Sequence, residues 1–195
     1  LLALPGLLGT LALAKWIVWA MYSAAFAPAA EVLVWMSLGV FGRVVSWPLG
    51  YVQLALNAGK WYAATEFFFI ALQAALVTWM VPRYGVVGAA YGFFGCYAAY
   101  FIGMSWICRR LIGFRHSPHA FRLILIATLL MAATMAASRL LPDLPAAIVG
   151  SLCAFGGGLW CLRGLSDRLG ADHRLIRAIM RIPGITRVLA RREPK

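Results

Sequence analysis

The sequence predicts an all-α, polytopic integral membrane protein of about six transmembrane helices. Three observations carry that prediction. Of 195 residues, 63% belong to the apolar set AVILMFWYC and only 12% are charged, whereas soluble domains are nearer half apolar and a quarter charged. The apolar residues are gathered into runs of membrane-spanning length, bounded by charges, Pro or Gly. The formal charge of +12 is concentrated in alternate connections, as expected of cations that fix membrane orientation rather than of a nucleic-acid surface. Six acidic residues cannot solvate a soluble enzyme surface of this size. Disorder, a collagen-like repeat and a small disulfide-stapled secreted fold are excluded by the same composition.

The runs lie near residues 1–24, 32–56, 61–81, 86–108, 121–141 and 145–162. Residues 1–165 thus read as a membrane domain, and 166–195 as a basic, amphipathic cytoplasmic tail. The sequence opens at Leu1 with no Met and no basic segment before the first run, which is not a signal peptide. It reads as a chain cut inside a longer membrane protein.

The first run meets Lys15 before reaching full length and continues into Trp16, Trp19 and Tyr22. A lysine in hydrocarbon costs roughly 3 kcal/mol on insertion scales. The span is therefore expected to end near Lys15, with an interfacial Trp/Tyr segment following.

The second run carries the chemistry. At 3.6 residues per turn, Gly39, Gly42, Ser46, Gly50, Gln53 and Asn57 share one narrow stripe, with Arg43 at its edge. Pro48 lacks an amide proton and its ring opposes the carbonyl of Val44, so a kink is expected beside Arg43. An arginine in mid-membrane, a stripe of small residues and a proline predict a hydrated cavity. Alternatively, Arg43 is a structural counter-ion for Glu66. Glu66 and Gln73 share a face of the third run at i, i+7, beside Tyr62 and Phe69. Glu66 is expected to lie closer to the cytoplasm than Arg43 by about eight residues, or roughly 12 Å.

The fourth run places Gly85, Gly88, Gly92, Gly95, Ala99 and Gly103 at alternating spacings of three and four, a pattern that tight helix packing explains without a ligand. Tyr91, Tyr97 and Tyr100 add hydroxyls that could line a sugar path. Cys96, Cys153 and Cys161 lie inside apolar runs and behave as small hydrophobes. His116 and His119 occupy the basic loop without a nearby Cys or carboxylate, a poor metal site in a solvated segment. No phosphate-binding loop, Ser-His-acid arrangement or cofactor motif occurs, so neither an enzyme nor a cofactor is expected. The segment from Asp172 to Arg181 is basic and amphipathic, suited to lying on anionic lipid.

Alternating spans put Lys60, the loop arginines Arg109, Arg110, Arg115 and Arg122, and nine tail cations from Arg163 to Lys195 on one side. Lys15, Arg83 and Arg139 fall on the other. The excess predicts that the 109–122 loop and the C-terminus are cytoplasmic.

Several segments together resemble a known family. They are Gly39-Val-Phe-Gly-Arg-Val-Val-Ser-Trp-Pro-Leu-Gly-Tyr-Val-Gln-Leu-Ala55, then Gly59-Lys60, Glu66, and Tyr84-Gly-Val-Val-Gly-Ala-Ala-Tyr-Gly92, preceded by the cationic, aromatic stretch Lys15 to Phe26. This pattern is similar to the C-terminal half of bacterial O-antigen and polysaccharide flippases, within the multidrug/oligosaccharidyl-lipid/polysaccharide exporter superfamily. The likeness is good over residues 5–110 and weak beyond.

The resemblance implies two pseudo-symmetric lobes around a cleft. The first four spans would then be most of the second lobe, and the last two an extra C-terminal pair, with the missing N-terminal part of the same chain supplying the rest. It also implies translocation of an undecaprenyl-pyrophosphate-linked oligosaccharide, for O-antigen, lipopolysaccharide or exopolysaccharide synthesis, across the bacterial inner membrane. The partners would be that lipid-linked oligosaccharide and membrane lipids, with no nucleic acid. Arg43 matches a position where relatives carry Lys or Arg, and Ser46, Gln53, Glu66 and Gln73 complete the candidate substrate-binding set. Few other charges occur in the spans, so a coupling carboxylate beyond Glu66 is not present in them. Two other readings stand beside this one. A small-molecule or multidrug exporter of the same superfamily would want an acidic cleft, and a membrane-bound envelope-synthesis protein would want paired carboxylates or histidines at one depth.

Overall fold

The computed structural model describes residues 2–22 and 24–169. Six long helices follow one another: α1 (Ala3–Met21), α2 (Ala29–Ala55), α3 (Gly59–Tyr84), α4 (Val86–Ile112), α5 (Pro118–Leu140) and α6 (Asp143–Leu169), with a short 3-10 turn at Ala24–Phe26 before α2. All six are long and apolar enough to cross a membrane. Among the described residues there is no strand, as a bilayer-spanning chain requires when its backbone must satisfy itself within each segment. The amphipathic segment from Asp172 to Arg181, and the tail beyond Leu169, lie outside the described residues.

The connections are short because the sequence supplies the right caps. Ser117 accepts a hydrogen bond on its Oγ from the amide of Ala120 at 3.1 Å, with Pro118 opening α5. Gly113 closes α4 in the left-handed region at φ 63°, its amide bonded to the Arg109 carbonyl at 3.0 Å. Gly85 joins α3 to α4 at φ 62° and ψ −150°, a conformation that a side chain would strain.

α1 continues as a helix past Lys15 to Met21, so the Trp/Tyr segment expected beyond that lysine is the last part of the same helix. Lys15 escapes the hydrocarbon cost because its ammonium is ion-paired with Asp143, at the start of α6. That lysine therefore stands at the level of the α5–α6 turn. Trp16, Trp19, Met21 and Tyr22 beyond it are all exposed, as aromatic residues at a membrane boundary are.

The helices pack as two groups joined along α1 and α2. In one, Leu4, Leu8, Leu11 and Val18 of α1 meet Val34 of α2, Ala127 and Met131 of α5, and Cys161 of α6. In the other, Leu49 of α2, Phe69 of α3, and Cys96, Tyr100, Met104 and Cys108 of α4 form a second core. The outward faces are apolar as well. On α3, Phe67, Phe68, Ile70 and Trp79 are all more than half exposed. In water such a surface would drive aggregation, whereas in a bilayer it is solvated by lipid.

The small-residue stripe of α4 packs tightly, as expected. A β-carbon at Gly92 would lie 3.1 Å from the amide nitrogen of Val77, and one at Gly88 would run into the backbone of Met80. The stripe of α2 does the same. Gly39 receives the ring of Phe93, Gly42 approaches the Cβ of Tyr97, and Gly50 approaches the hydroxyl of Tyr100. Aromatic side chains of α4 fill the space that the glycines of α2 leave open.

Candidate functional site

What remains open on α2 lies at the edge of that stripe. Arg43, Ser46 and Trp47 of α2 line a cavity of about 90 Å³ with Glu66, Phe69, Ile70 and Gln73 of α3 and Cys96, Tyr97 and Tyr100 of α4. The antiparallel run of α2 and α3 explains the meeting. Residues that precede the α2–α3 turn by one distance come level with those that follow it by the same distance, so Arg43 and Gln73 share a depth. Glu66 stands nearer the turn, and its side chain and that of Arg43 both reach the cavity.

Arg43 is exposed. Its guanidinium carbon lies 5.3 Å from the ring centre of Trp47 and 5.8 Å from that of Tyr97, within reach of a cation–π attraction to both. Rings hold the faces of a guanidinium and leave its N–H edge available to an acceptor. Glu66 accepts a hydrogen bond from the Tyr100 hydroxyl at 2.6 Å. Among the described residues the ion pairs are Lys15–Asp143 and Arg139–Glu31. Arg43 and Glu66 share a cavity without forming one.

The remaining candidates are less available. The Ser46 hydroxyl donates to the Gly42 carbonyl at 2.7 Å within its own helix, so it can offer a ligand only its lone pairs. Gln53 does not line the cavity. It is fully buried between α2 and α3, where its Oε1 accepts from Thr65 at 3.0 Å, and its Nε2 has no partner. Thr65 also reaches the carbonyls of Trp61 and Tyr62, each at 2.9 Å. With one hydroxyl proton to share among three acceptors, the arrangement ties the α3 start to α2 and is a packing contact.

Two features escaped the sequence reading. At the opposite end of α2, Glu31 accepts from Arg139 of α5 at 2.7 Å and from Tyr91 of α4 at 3.2 Å. Asp143 and Glu31 each stand in the first turn of a helix, where a carboxylate complements the helix dipole. That position was the signal available. The second is His116. Its ring sits between Phe101 and Phe114, with centroids 5.7 and 5.0 Å away, and its Nε2 lies 3.3 Å from the Ser105 hydroxyl. The loop folds back on α4, so this histidine is half-buried rather than solvated.

Comparison with known proteins adds one likeness. The Lipid III flippases of Escherichia coli (strain K12) and Shigella flexneri are each 25% identical to this chain over 84 residues, which is 43% of this chain and 20% of the relative. The likeness is to a flippase. The matched segment spans a fifth of the length of these relatives. No family model and no solved structure matches. With six apolar helices, the chain is a multi-pass membrane protein, similar over less than half its length to the Lipid III flippases.

Proposed function

We propose that the chain is part of an inner-membrane flippase that moves an undecaprenyl-pyrophosphate-linked oligosaccharide, an O-antigen or exopolysaccharide repeat unit, from the cytoplasmic to the periplasmic leaflet. The observation that carries this reading is Arg43, an unpaired guanidinium held between two aromatic rings at the edge of a cavity within a membrane-spanning bundle. Intramembrane charges mark pathways more often than they serve structure. The likeness to Lipid III flippases supports a lipid-linked cargo.

The chemistry suits that cargo. Arginine engages phosphate oxygens through two parallel N–H bonds, and the low dielectric around α2 strengthens the contact. Glu66 and Gln73 add acceptors and a donor for sugar hydroxyls, while the polyprenyl chain stays in the bilayer. The cavity opens at the surface of the bundle, where Arg43, Trp47 and Ile70 on its rim are exposed. A further lobe facing that rim would complete the cleft, as alternating access requires.

The basic 109–122 loop and the C-terminus are cytoplasmic on this reading. Two of the three cations at the far end are answered by Asp143 and Glu31, which sharpens the asymmetry that orients the chain.

The test is surface polysaccharide in a flippase-deleted host carrying the protein from its complete reading frame. Arg43→Ala should abolish the polysaccharide while membrane protein level stays unchanged. Normal polysaccharide from a well-expressed Arg43→Ala protein ends the proposal.

A further inference from the structure

At the end away from the 109–122 loop, α1, α2, α5 and α6 enclose a second, larger cavity of about 650 Å³. Its lining is unlike that of the Arg43 cavity. Lys15, Asp143, Arg139 and Glu31 all face it, so the Lys15–Asp143 and Arg139–Glu31 pairs stand in one chamber. Trp16 and Trp19 line the same chamber, edge to face with centroids 6.4 Å apart. Deeper in, the wall is aliphatic, formed by Leu11 and Val34.

Depth identifies the kind of ligand. α1 ends at Met21, α5 ends at Leu140, α6 begins at Asp143 and α2 begins at Ala29. Four helix ends meet there, with exposed tryptophans beside them, which is the level of lipid headgroups. A chamber at that level with a polar mouth and an aliphatic floor matches a glycerophospholipid entering headgroup outermost. Its volume is that of an ordinary small-molecule site.

The charges specify the headgroup. Two cations and two carboxylates line the chamber as two pairs, and their side chains remain between 38% and 62% exposed despite the pairing. Exposed pairs of this kind hold each other weakly and exchange partners readily. An anionic headgroup would answer Lys15 and Arg139 but leave Asp143 and Glu31 facing a phosphate. A choline headgroup offers the carboxylates a charge without an N–H donor. An ethanolamine headgroup satisfies both, its phosphate accepting from Lys15 and Arg139 and its ammonium donating to Asp143 and Glu31.

We infer that this chamber is a binding site for a zwitterionic aminophospholipid of the bilayer, read through its phosphate by Lys15 and Arg139 and through its ammonium by Glu31 and Asp143. The occupant is a resident lipid, separate from any cargo that Arg43 engages.

Native mass spectrometry of the purified full chain tests the site, with palmitoyl-oleoyl phosphatidylethanolamine, phosphatidylglycerol and phosphatidylcholine presented in equal amounts. The protein should retain the ethanolamine lipid about tenfold better than the choline lipid, the equivalent of one charge-assisted hydrogen bond. In the double variant Lys15→Gln with Asp143→Asn, that ratio should fall towards one. The ratio is the readout because a folding defect lowers retention of all three lipids together. A second double variant, Arg139→Gln with Glu31→Gln, should lower the ratio independently. Equal retention of the lipids by the native protein, better retention of phosphatidylglycerol, or an unchanged ratio in both double variants would each overturn the inference.

Discussion

The Tyr100 hydroxyl, buried in the α3–α4 interface, donates a 2.6 Å hydrogen bond to the carboxylate of Glu66 one helix away. That bond holds Glu66 at the wall of the cavity that Arg43 also lines. Hydrogen bonds to charged groups contribute about 1.5–3 kcal/mol. Tyr100→Phe should therefore lower the thermal midpoint of the purified protein in detergent. In a Glu66→Ala background the same change should cost much less, because the partner is already gone. Equal losses in the two backgrounds would show that the tyrosine acts only by packing.

Arg43 distinguishes two roles by its variants. A role in binding phosphate through charge lets Arg43→Lys keep much of the polysaccharide export, with the loss measuring what the bidentate fork adds. A structural role as counter-ion to Glu66 instead predicts that Arg43→Ala is rescued by Glu66→Ala. The structure has no ion pair between the two, so rescue is not expected. Surface polysaccharide in the flippase-deleted host reads both outcomes.

Gly88 should be intolerant of even one methyl group. A β-carbon there meets the Met80 backbone, which cannot rotate away as a side chain could. Gly88→Ala should destabilise by about 1–3 kcal/mol, the usual cost of overpacking, and lower the amount of protein in the membrane. Gly6→Ala and Gly9→Ala are the controls, since nothing lies within 4 Å of a β-carbon at either position. Thermal melts of the three variants should separate cleanly.

Topology can be read by labelling. With the native cysteines replaced, Ser117→Cys should resist a membrane-impermeant thiol reagent in intact cells, and Leu144→Cys should react. Both positions are exposed at helix ends, so accessibility within the protein does not confound the result. The reversed pattern would invert the proposed orientation.

The helices were legible in the sequence because each is a long apolar run between charges or turn residues, and nothing in a bilayer competes with that signal. What failed was whatever depended on a distant partner. The counter-ion of Lys15 was not legible because it stands 128 residues later. That Phe93, Tyr97 and Tyr100 fill the space beside the α2 glycines was not legible either, since it depends on how α4 docks. His116 read as solvated because no local rule folds its loop between Phe101 and Phe114. The meeting of Arg43, Glu66 and Gln73 was partly legible, since helical spacing fixes faces, but the depth at which two faces meet depends on side-chain reach. Gln53 shares the stripe of Ser46 and yet lies a full two turns nearer the α2–α3 connection, where Thr65 claims it.

The Lys15–Asp143 pair also has a history in time. Its members are separated by 128 residues of chain, and chains are synthesised at about 5–20 residues per second. Asp143 therefore leaves the ribosome roughly 6–26 s after Lys15. Throughout that interval α1 sits in the bilayer with its lysine reaching for the headgroups and its inner face awaiting α5 and α6. Although α1 precedes the other described helices in the chain, it is thus among the last of them to be seated, because its partners α5 and α6 begin more than a hundred residues after its own start.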